Sequence, residues 1–242
     1  MRKIALLSLF AMLFALTATF ATAQCPNIPN FACSFYAGDL DLNDPNQNGL
    51  ANENDAIVGG SPYGAATFQN FNWGGGLVDG LFTNNLSGLN PASAYWEIRT
   101  GVSEGNGGTL IASGTASGGN FSSTATGRAD FGFNEYSYAA LNLNTFLGAG
   151  QYWFAVVPQD TGNANRSFNS DTDGLNSIGS QTSGLQYFDS AFFGANYTNA
   201  NNEGVFNIFS GGVLYATPEP SSLIMLGSGL LVAAGAFRRR FM

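Results

Sequence analysis

The residues from Ala94 to Arg99 alternate between apolar and polar side chains. Because successive side chains of an extended chain point to opposite faces, Ala94, Trp96 and Ile98 share one face. This two-residue period predicts a half-buried strand. The residues from Gly150 to Val157 are apolar with few interruptions, which predicts a central strand that ends at Pro158.

Several further segments have strand-like patterns, and glycine-rich breaks separate them. Short strands divided by turn residues are typical of antiparallel sandwiches and barrels. We therefore predict an all-β fold, a two-sheet antiparallel sandwich that is jelly-roll-like. The segment 160–204 is rich in Asn, Ser and Gly and is predicted to form long loops with one or two short strands. The further strands are predicted at 77–83, 109–112, 122–133, 136–141, 205–209 and 213–215.

The first 23 residues have the three parts of a secretory signal peptide. Arg2 and Lys3 are positive, the residues from Ile4 to Phe20 are apolar, and Ala21-Thr22-Ala23 is a small-x-small cleavage site. The mature chain is therefore predicted to begin at Gln24, after an N-terminal signal helix (1–23).

A second apolar segment runs from Ser221 to Phe237. Its 17 residues lie at the lower limit of the roughly 17–25 that span a bilayer as a helix, which predicts a C-terminal transmembrane helix. The tripeptide Pro218-Glu219-Pro220 precedes it and is predicted to be extended and exposed. The cluster Arg238, Arg239 and Arg240 follows it and favours the cytoplasmic side of the membrane. The chain thus divides into 1–23, an extracellular β-sandwich domain (24–217) and a C-terminal segment (218–242).

The predicted mature domain is strongly acidic. It contains three arginines, no lysine and no histidine against fifteen acids, so its net charge is about −12. Such a surface repels nucleic acid, which excludes nucleic-acid binding as an expected function.

The two cysteines of the chain, Cys25 and Cys33, both lie in the predicted mature domain. Export places them in an oxidising compartment, so we predict a disulfide between them. A metal pair is the alternative, but the chain has no histidine and no further cysteine to complete such a site.

Catalysis has little support in the sequence. Without histidine, triads and histidine-assisted acid–base chemistry are excluded. The carboxylate pairs Asp130 with Glu135 and Asp171 with Asp173 remain, but we interpret them as solvated loop carboxylates, and we expect Glu97 to balance an arginine. The sequence predicts no catalytic residue and a protein that is not an enzyme.

One stretch matches the spacing of an EF-hand-type calcium loop. Its oxygen donors occupy the ligand positions, and Gly49 provides the sharp turn. A bare surface loop is the alternative, because a proline follows the first ligand and only two ligands are charged. No cofactor is expected apart from this Ca²⁺. The ligand set comprises Asp44, Asn46, Asn48, Leu50 through its carbonyl, Asn52 and Asp55.

The domain is also rich in aromatic residues. Aromatic rings beside Asn and Asp are common in carbohydrate sites, although most rings in a β-fold belong to its core. The rings considered for a sugar-stacking platform are Tyr36, Tyr63, Phe68, Phe71, Trp73, Tyr187, Phe188, Phe192, Phe193 and Tyr197.

The order of Pro218-Glu219-Pro220, an apolar helix and an arginine cluster resembles the PEP-CTERM sorting signal of Gram-negative bacteria. The strand patterns around Trp96, Ile111 and Trp153 also resemble extracellular domains found upstream of this signal. The resemblance implies recognition by an exosortase, a transient single-pass stay in the inner membrane, and delivery to the cell surface or the extracellular matrix. Retention of the helix as a permanent anchor is the alternative.

For the function of the domain itself, this resemblance implies a structural protein associated with exopolysaccharide or biofilm. The alternative is a lectin-like carbohydrate-binding module, with or without calcium, whose partner is extracellular polysaccharide.

Overall fold

A computed structural model describes residues 24–26, 28, 31–40, 42, 49–54, 61–160, 166–180, 182–204 and 208–216. The predicted signal helix and the predicted transmembrane helix both lie outside these residues. Within the described ranges, no helix is long and apolar enough to cross a membrane.

The described chain is built from strands, with two short 3₁₀ turns at Gly118–Asn120 and Ala200–Glu203. The strand pairs in the described part of the chain are antiparallel. The strands are β1 (Phe31–Tyr36), β2 (Gly49–Ala51), β3 (Ala66–Ser87), β4 (Ser93–Thr100), β5 (Thr109–Ser117), β6 (Phe121–Asp130), β7 (Phe133–Gln159), β8 (Ser167–Thr172), β9 (Tyr187–Ser190), β10 (Ala195–Asn199), β11 (Ile208–Phe209) and β12 (Gly211–Ala216).

The strands β3 and β7 form a long antiparallel ribbon at the centre of the sheet. The two strands pair from Gln69 with Phe154 to Ser87 with Asn134, and the register shifts between Val78 and Gly80. Opposite that shift, Asn142 and Asn144 have left-handed φ angles of 57° and 50°. An irregularity of this kind bends a strand and increases its twist, so it divides the ribbon into two halves.

The two halves of the ribbon carry different neighbours. The half before the bulge in β3 also pairs with β9, and the matching end of β7 pairs with β4, which pairs with β5. The other half pairs with β6, β8 and β12, and β12 pairs with β1. The strands therefore form one open antiparallel sheet, in which β3 and β7 belong to both halves.

Both halves contribute to the largest hydrophobic core. Phe71, Ile98 and Phe154 come from the first half, and Leu81 and Val213 from the second. The two halves thus pack together in a sandwich-like manner, burying apolar surface that neither would bury alone. The prediction of an all-β antiparallel fold is confirmed.

Strand boundaries differ from the prediction in several places. The predicted strands 77–83 and 109–112 are parts of the longer β3 and β5. The predicted strands 136–141 and 150–157 are parts of one strand, β7, which is bulged rather than broken. The predicted strand 122–133 instead ends at Asp130, because Phe131 and Gly132 form a tight turn. The segment 160–204 contains three strands, β8, β9 and β10, rather than one or two.

The prediction that Pro158 ends its strand is wrong. Pro158 lies inside β7 and pairs with Ala94 of β4. At this point β7 has already left β3, whose pairing with β7 stops at Phe154. Proline lacks a backbone N–H, and a strand with one free side tolerates it there.

The predicted disulfide is confirmed, and it joins Cys25 to Cys33. Both cysteines are buried and pack with Ile28, Tyr36 and Phe82 against the outer face of the second half of the sheet. The bridge thereby fastens the N-terminal end of the described chain onto β1.

Candidate functional site

The three arginines of the domain are all paired with buried carboxylates. Arg99 contacts Glu97 at 2.9 Å, and Arg166 contacts Glu53 at 2.6 Å. The third, Arg128, lies between the carboxylates of Asp39 and Glu135. Glu53 and Glu97 are almost fully buried, so their charges depend on these partners.

Arg128 is the centre of a buried polar cluster. Its Nε lies 2.6 Å from Glu135 Oε2, and its Nη1 lies 2.9 Å from Asp39 Oδ1. Thr126 donates to the same oxygen of Glu135, and the Tyr36 hydroxyl donates to Asp39. Burial, and then the neighbouring charge of Asp39, raise the pKa of the Tyr36 hydroxyl far above its usual range.

This cluster includes Glu135, one member of the carboxylate pair Asp130 and Glu135. Glu135 is engaged by Arg128, while Asp130 accepts a hydrogen bond from the backbone N–H of Phe131. In the second pair, Asp171 is fully buried, whereas Asp173 is exposed and accepts from the backbone of Leu175. The prediction that all four are solvated loop carboxylates is therefore wrong for Glu135 and Asp171, which are fully buried in strands β7 and β8.

Arg99 belongs to a second cluster, which is aromatic. Its guanidinium carbon lies 5.2 Å from the ring centre of Tyr197 and 6.0 Å from that of Phe68. Tyr95 donates to Glu97, as the alternation of β4 predicts for residues on one face. The expectation that Glu97 balances an arginine is confirmed, and the arginine is Arg99.

An aromatic cleft opens at one end of the sheet. It has a volume of about 220 Å³ and lies between β2, β3, β8 and the β6–β7 turn. The rings of Phe133 and Phe168 meet edge to face with their centres 5.8 Å apart. Phe131 is 64% exposed at the mouth. The cleft is lined by Gly49, Leu86, Phe131, Phe133 and Phe168.

Arg166 extends this aromatic surface. Its guanidinium carbon lies 5.4 Å from the ring centre of Phe168 and 5.8 Å from that of Phe193. Phe193 in turn contacts Phe192, and both rings are about half exposed. Five phenylalanines and one arginine thus form a continuous surface on which a planar or ring-shaped apolar face can stack.

Most of the ten rings that the sequence suggested for a sugar-stacking platform do not lie on this aromatic surface. Phe192 and Phe193 are exposed and lie on the aromatic surface, but the other eight rings are buried in the cores of the sheet. Sequence reasoning missed Phe131, Phe133 and Phe168. Gly132 inside the predicted strand 122–133 was the one local signal of a hairpin turn, which in the structure presents the ring of Phe131 to solvent.

The predicted calcium loop lies largely outside the described residues, which include Leu50 and Asn52 but not Asp44, Asn46, Asn48 or Asp55. Asn52 is fully buried, where its amide donates to Val156 O at 2.8 Å and accepts from Thr67 N. Leu50 lies in β2, opposite Asn169. Among the described residues, no three acids or cysteines come together as metal ligands.

The sorting residues Pro218, Glu219, Pro220, Arg238, Arg239 and Arg240 lie outside the described part of the chain, which ends at Ala216 on β12. Residues 216–240 match the model of the PEP-CTERM protein-sorting motif. The chain carries a PEP-CTERM sorting signal. The matched segment begins at Ala216, the last residue of β12, so it directly follows the final strand of the described part of the chain.

No curated protein matches this chain. Among solved structures, it is similar to the cysteine protease and lectin-like domains of Cwp84, a surface layer associated protein of Clostridium difficile. The two are 16% identical with a TM-score of 0.38. The match covers 63% of this chain and 32% of that one, so this chain spans about a third of that structure's length.

A motif of this kind implies sorting by an exosortase, with export and transit through the membrane before cleavage.

Proposed function

We propose that the domain is a non-enzymatic component of the cell surface or extracellular matrix, associated with polysaccharide. The observation that carries this proposal is the sorting motif placed directly behind the last strand of an all-β domain. The ion pairs support it, because Glu53, Glu97 and Glu135 are each held by an arginine and are not free for acid–base chemistry. A jelly-roll-like connection of the two halves of the sheet is also part of this proposal.

The sorting step has a direct test. Replacing Pro218, Glu219 and Pro220 by alanines is expected to leave the uncleaved chain in the inner membrane, because the extended handle that the exosortase recognises is lost. Immunoblotting of inner-membrane, outer-surface and medium fractions measures this. A matched control changes Thr217 to alanine. Normal cleavage and delivery of the triple variant would refute the sorting role of this tripeptide.

A lectin-like module is the second candidate, and the aromatic cleft favours it. Phe131 occupies the first position of a two-residue hairpin turn with φ 49°, next to Gly132 with φ 81°. This turn prefers Asn, Asp or Gly at that position, so a phenylalanine there is conformationally unfavourable. Such local strain is characteristic of functional positions. The exposed ring at the mouth of the cleft is suited to stacking on the apolar face of a sugar.

This candidate predicts that Phe131→Ala weakens retention on neutral polysaccharide by about two- to ten-fold, since one stacking ring contributes ~0.5–1.5 kcal/mol. Affinity electrophoresis of the mature exported protein measures the change. Phe146→Ala is the matched control, because Phe146 is 75% exposed but does not line the cleft. Repeating the assay with chelator tests the calcium loop. Equal retention of all three proteins would count against a lectin function for the cleft.

A further inference from the structure

The ribbon of β3 and β7 turns through a glycine-rich corner, which comprises residues 74–77 of β3 and 146–149 of β7. Gly75 and Gly76 have φ angles of 97° and 127°, a backbone conformation that other residues rarely adopt. Phe71 before the corner and Leu81 after it share the largest hydrophobic core. The ribbon therefore folds back on itself here, and the corner forms one end of the sandwich-like packing.

The outer surface of the corner exposes a pair of large apolar side chains. Leu77 and Phe146 lie directly opposite each other across the two strands, and they are 46% and 75% exposed. A Cβ atom added at Gly74 or Gly148 would meet nothing within 4 Å, so no side chain covers the backbone beside this pair. The pair is therefore open to contact with a second apolar phase.

The chain leaves the described structure at this same end. β12 runs antiparallel to β3, from Gly211 opposite Thr83 to Leu214 opposite Gly80. It continues in this direction to Ala216, where the described part of the chain ends. The end of β12 therefore approaches the corner.

The sorting segment limits the distance between this end and the membrane. The apolar segment predicted to cross the bilayer begins at Ser221, so four residues separate it from Ala216. Even with these residues fully extended, the two Cα atoms are at most about 18 Å apart. The headgroups form a layer of about 5–8 Å on each side of the hydrocarbon core. While the membrane holds the chain, the corner therefore stays close to the lipid headgroups.

We propose that the corner is a membrane-facing surface, and that Leu77 and Phe146 enter the headgroup region of the bilayer while the C-terminal segment holds the chain there. The proposal rests on the membrane stage that the sorting motif implies. Aromatic and aliphatic side chains are the types that proteins insert at the boundary between headgroups and hydrocarbon. The contact orients the domain and keeps residues 217–220 at the membrane surface, where they are recognised.

Charge makes this contact depend on the tether. A domain with a net charge of about −12 is repelled by anionic lipid, but residues 66–78 and 136–159 contain no charged residue, and Asp79 is nearly buried. The corner thus approaches the bilayer with little repulsion, and the short tether raises its effective concentration there. Two apolar side chains are too few to hold the domain without the tether, so cleavage releases it.

The aromatic cleft lies towards the opposite end of the second half of the sheet. Leu86, which lines the cleft, lies nine positions after Leu77 on β3, or roughly 30 Å along an extended strand. With the corner on the bilayer, the cleft therefore points away from the membrane. This orientation leaves the cleft open to extracellular polysaccharide before the chain is cleaved.

A fluorescent label on β7 tests the proposal in the chain from Gln24 to Met242, inserted in vesicles of zwitterionic phosphatidylcholine. Ala149→Cys places the label at the corner, and Asn134→Cys places it at an exposed site near the other end of the same strand. Each variant has one free thiol, because Cys25 and Cys33 are joined. With doxyl-labelled lipid present, we expect position 149 to lose fluorescence and position 134 to keep it.

Flotation of the vesicles separates this proposal from the membrane stage on which it rests. A chain that floats with the vesicles, but whose two labels are equally quenched or equally protected, overturns the membrane-facing surface and leaves the sorting role standing. A chain that does not float with the vesicles overturns both.

A second pair of variants tests the two side chains themselves. In the chain labelled at position 149, Leu77→Ser with Phe146→Ser is expected to abolish the loss of fluorescence while flotation persists. The matched control is Phe192→Ser with Phe193→Ser, which removes two exposed rings from the aromatic surface and is expected to leave the quenching unchanged. Quenching that survives the first pair of substitutions, or that both pairs reduce equally, would overturn the proposal.

Discussion

Arg128→Met is expected to destabilise the domain by about 3–5 kcal/mol, because it leaves two buried carboxylates without a counter-charge. Glu135 is fully buried and Asp39 is nearly so, and the guanidinium contacts both at 2.6 and 2.9 Å. A methionine fills the volume of the arginine stem but provides no donor. The free energy of unfolding of the mature exported protein, measured by urea titration at pH 7, gives the size of the loss.

The double variant Arg128→Met with Glu135→Met separates charge from packing. Replacing members of a buried ion pair together costs less than removing one partner, so the double variant is expected to be more stable than Arg128→Met alone. Asp173→Asn is the control for the loss of an exposed charge and is expected to change stability by less than about 0.5 kcal/mol. A loss below roughly 1 kcal/mol for Arg128→Met would show that water reaches these carboxylates.

Alkaline pH is expected to unfold the domain, with little change in stability between pH 6 and 9. The chain has no histidine, residues 24–217 have no lysine, and both cysteines are paired, so few groups titrate in that interval. Burial raises the pKa of Tyr95, Tyr138 and Tyr197 to about 12. Burial also raises the pKa of Tyr36 and Tyr63 still further.

The sign of the pH dependence follows from linkage. A tyrosine with a raised pKa in the folded state contributes its full stabilisation below the pKa of about 10 in the unfolded chain. As the pH rises from 10 towards 12, each of these tyrosines loses its proton in the unfolded chain before it does so in the folded domain. Each buried tyrosine therefore lowers the free energy of unfolding by about 1.4 kcal/mol per pH unit. Near pH 11 the summed loss from several buried tyrosines becomes as large as the whole free energy of unfolding of an ordinary domain.

Urea midpoints of the mature protein at pH 7, 9 and 11 measure this loss. The midpoint is expected to be similar at pH 7 and 9 and to fall steeply at pH 11. Tyr138→Phe removes one of these buried ionisable groups and is expected to retain more of its midpoint at pH 11 than the wild type does. Loss of stability that begins below pH 9, or an equal midpoint at pH 9 and 11, would contradict the assignment to tyrosines.

The local pattern of the chain predicted well where a strand lies and which of its side chains share a face, although it did not predict that the face of Glu97 is also covered. The alternation from Ala94 to Arg99 became β4, with Glu97 and Arg99 paired on the face that the alternation assigns to them. The prediction failed where neighbours rather than local residues decide the outcome. Whether Pro158 ends a strand depends on which partner strand lies beside it, and β3 has already ended its pairing at that point.

The aromatic residues show the same contrast between what the local pattern predicts and what neighbours in space decide. Ten rings were considered from the sequence, and only Phe192 and Phe193 proved to be exposed on the aromatic surface. The cleft itself is formed by Phe131, Phe133 and Phe168, which are distant along the chain or lie at a turn. A ring next to a polar residue has the same local pattern in a core as in a binding site, so composition cannot separate the two.

The sequence by itself determined the sorting signal, the all-β class, the acidic charge and the disulfide. Each of these depends on residues that are close together in the chain or on simple counts, so no long-range contact is needed to read them. The tertiary structure decided which carboxylates are buried against arginines and which rings line the cleft. Those features arise when segments far apart in the chain pack together, because burial and pairing are properties of neighbours in space.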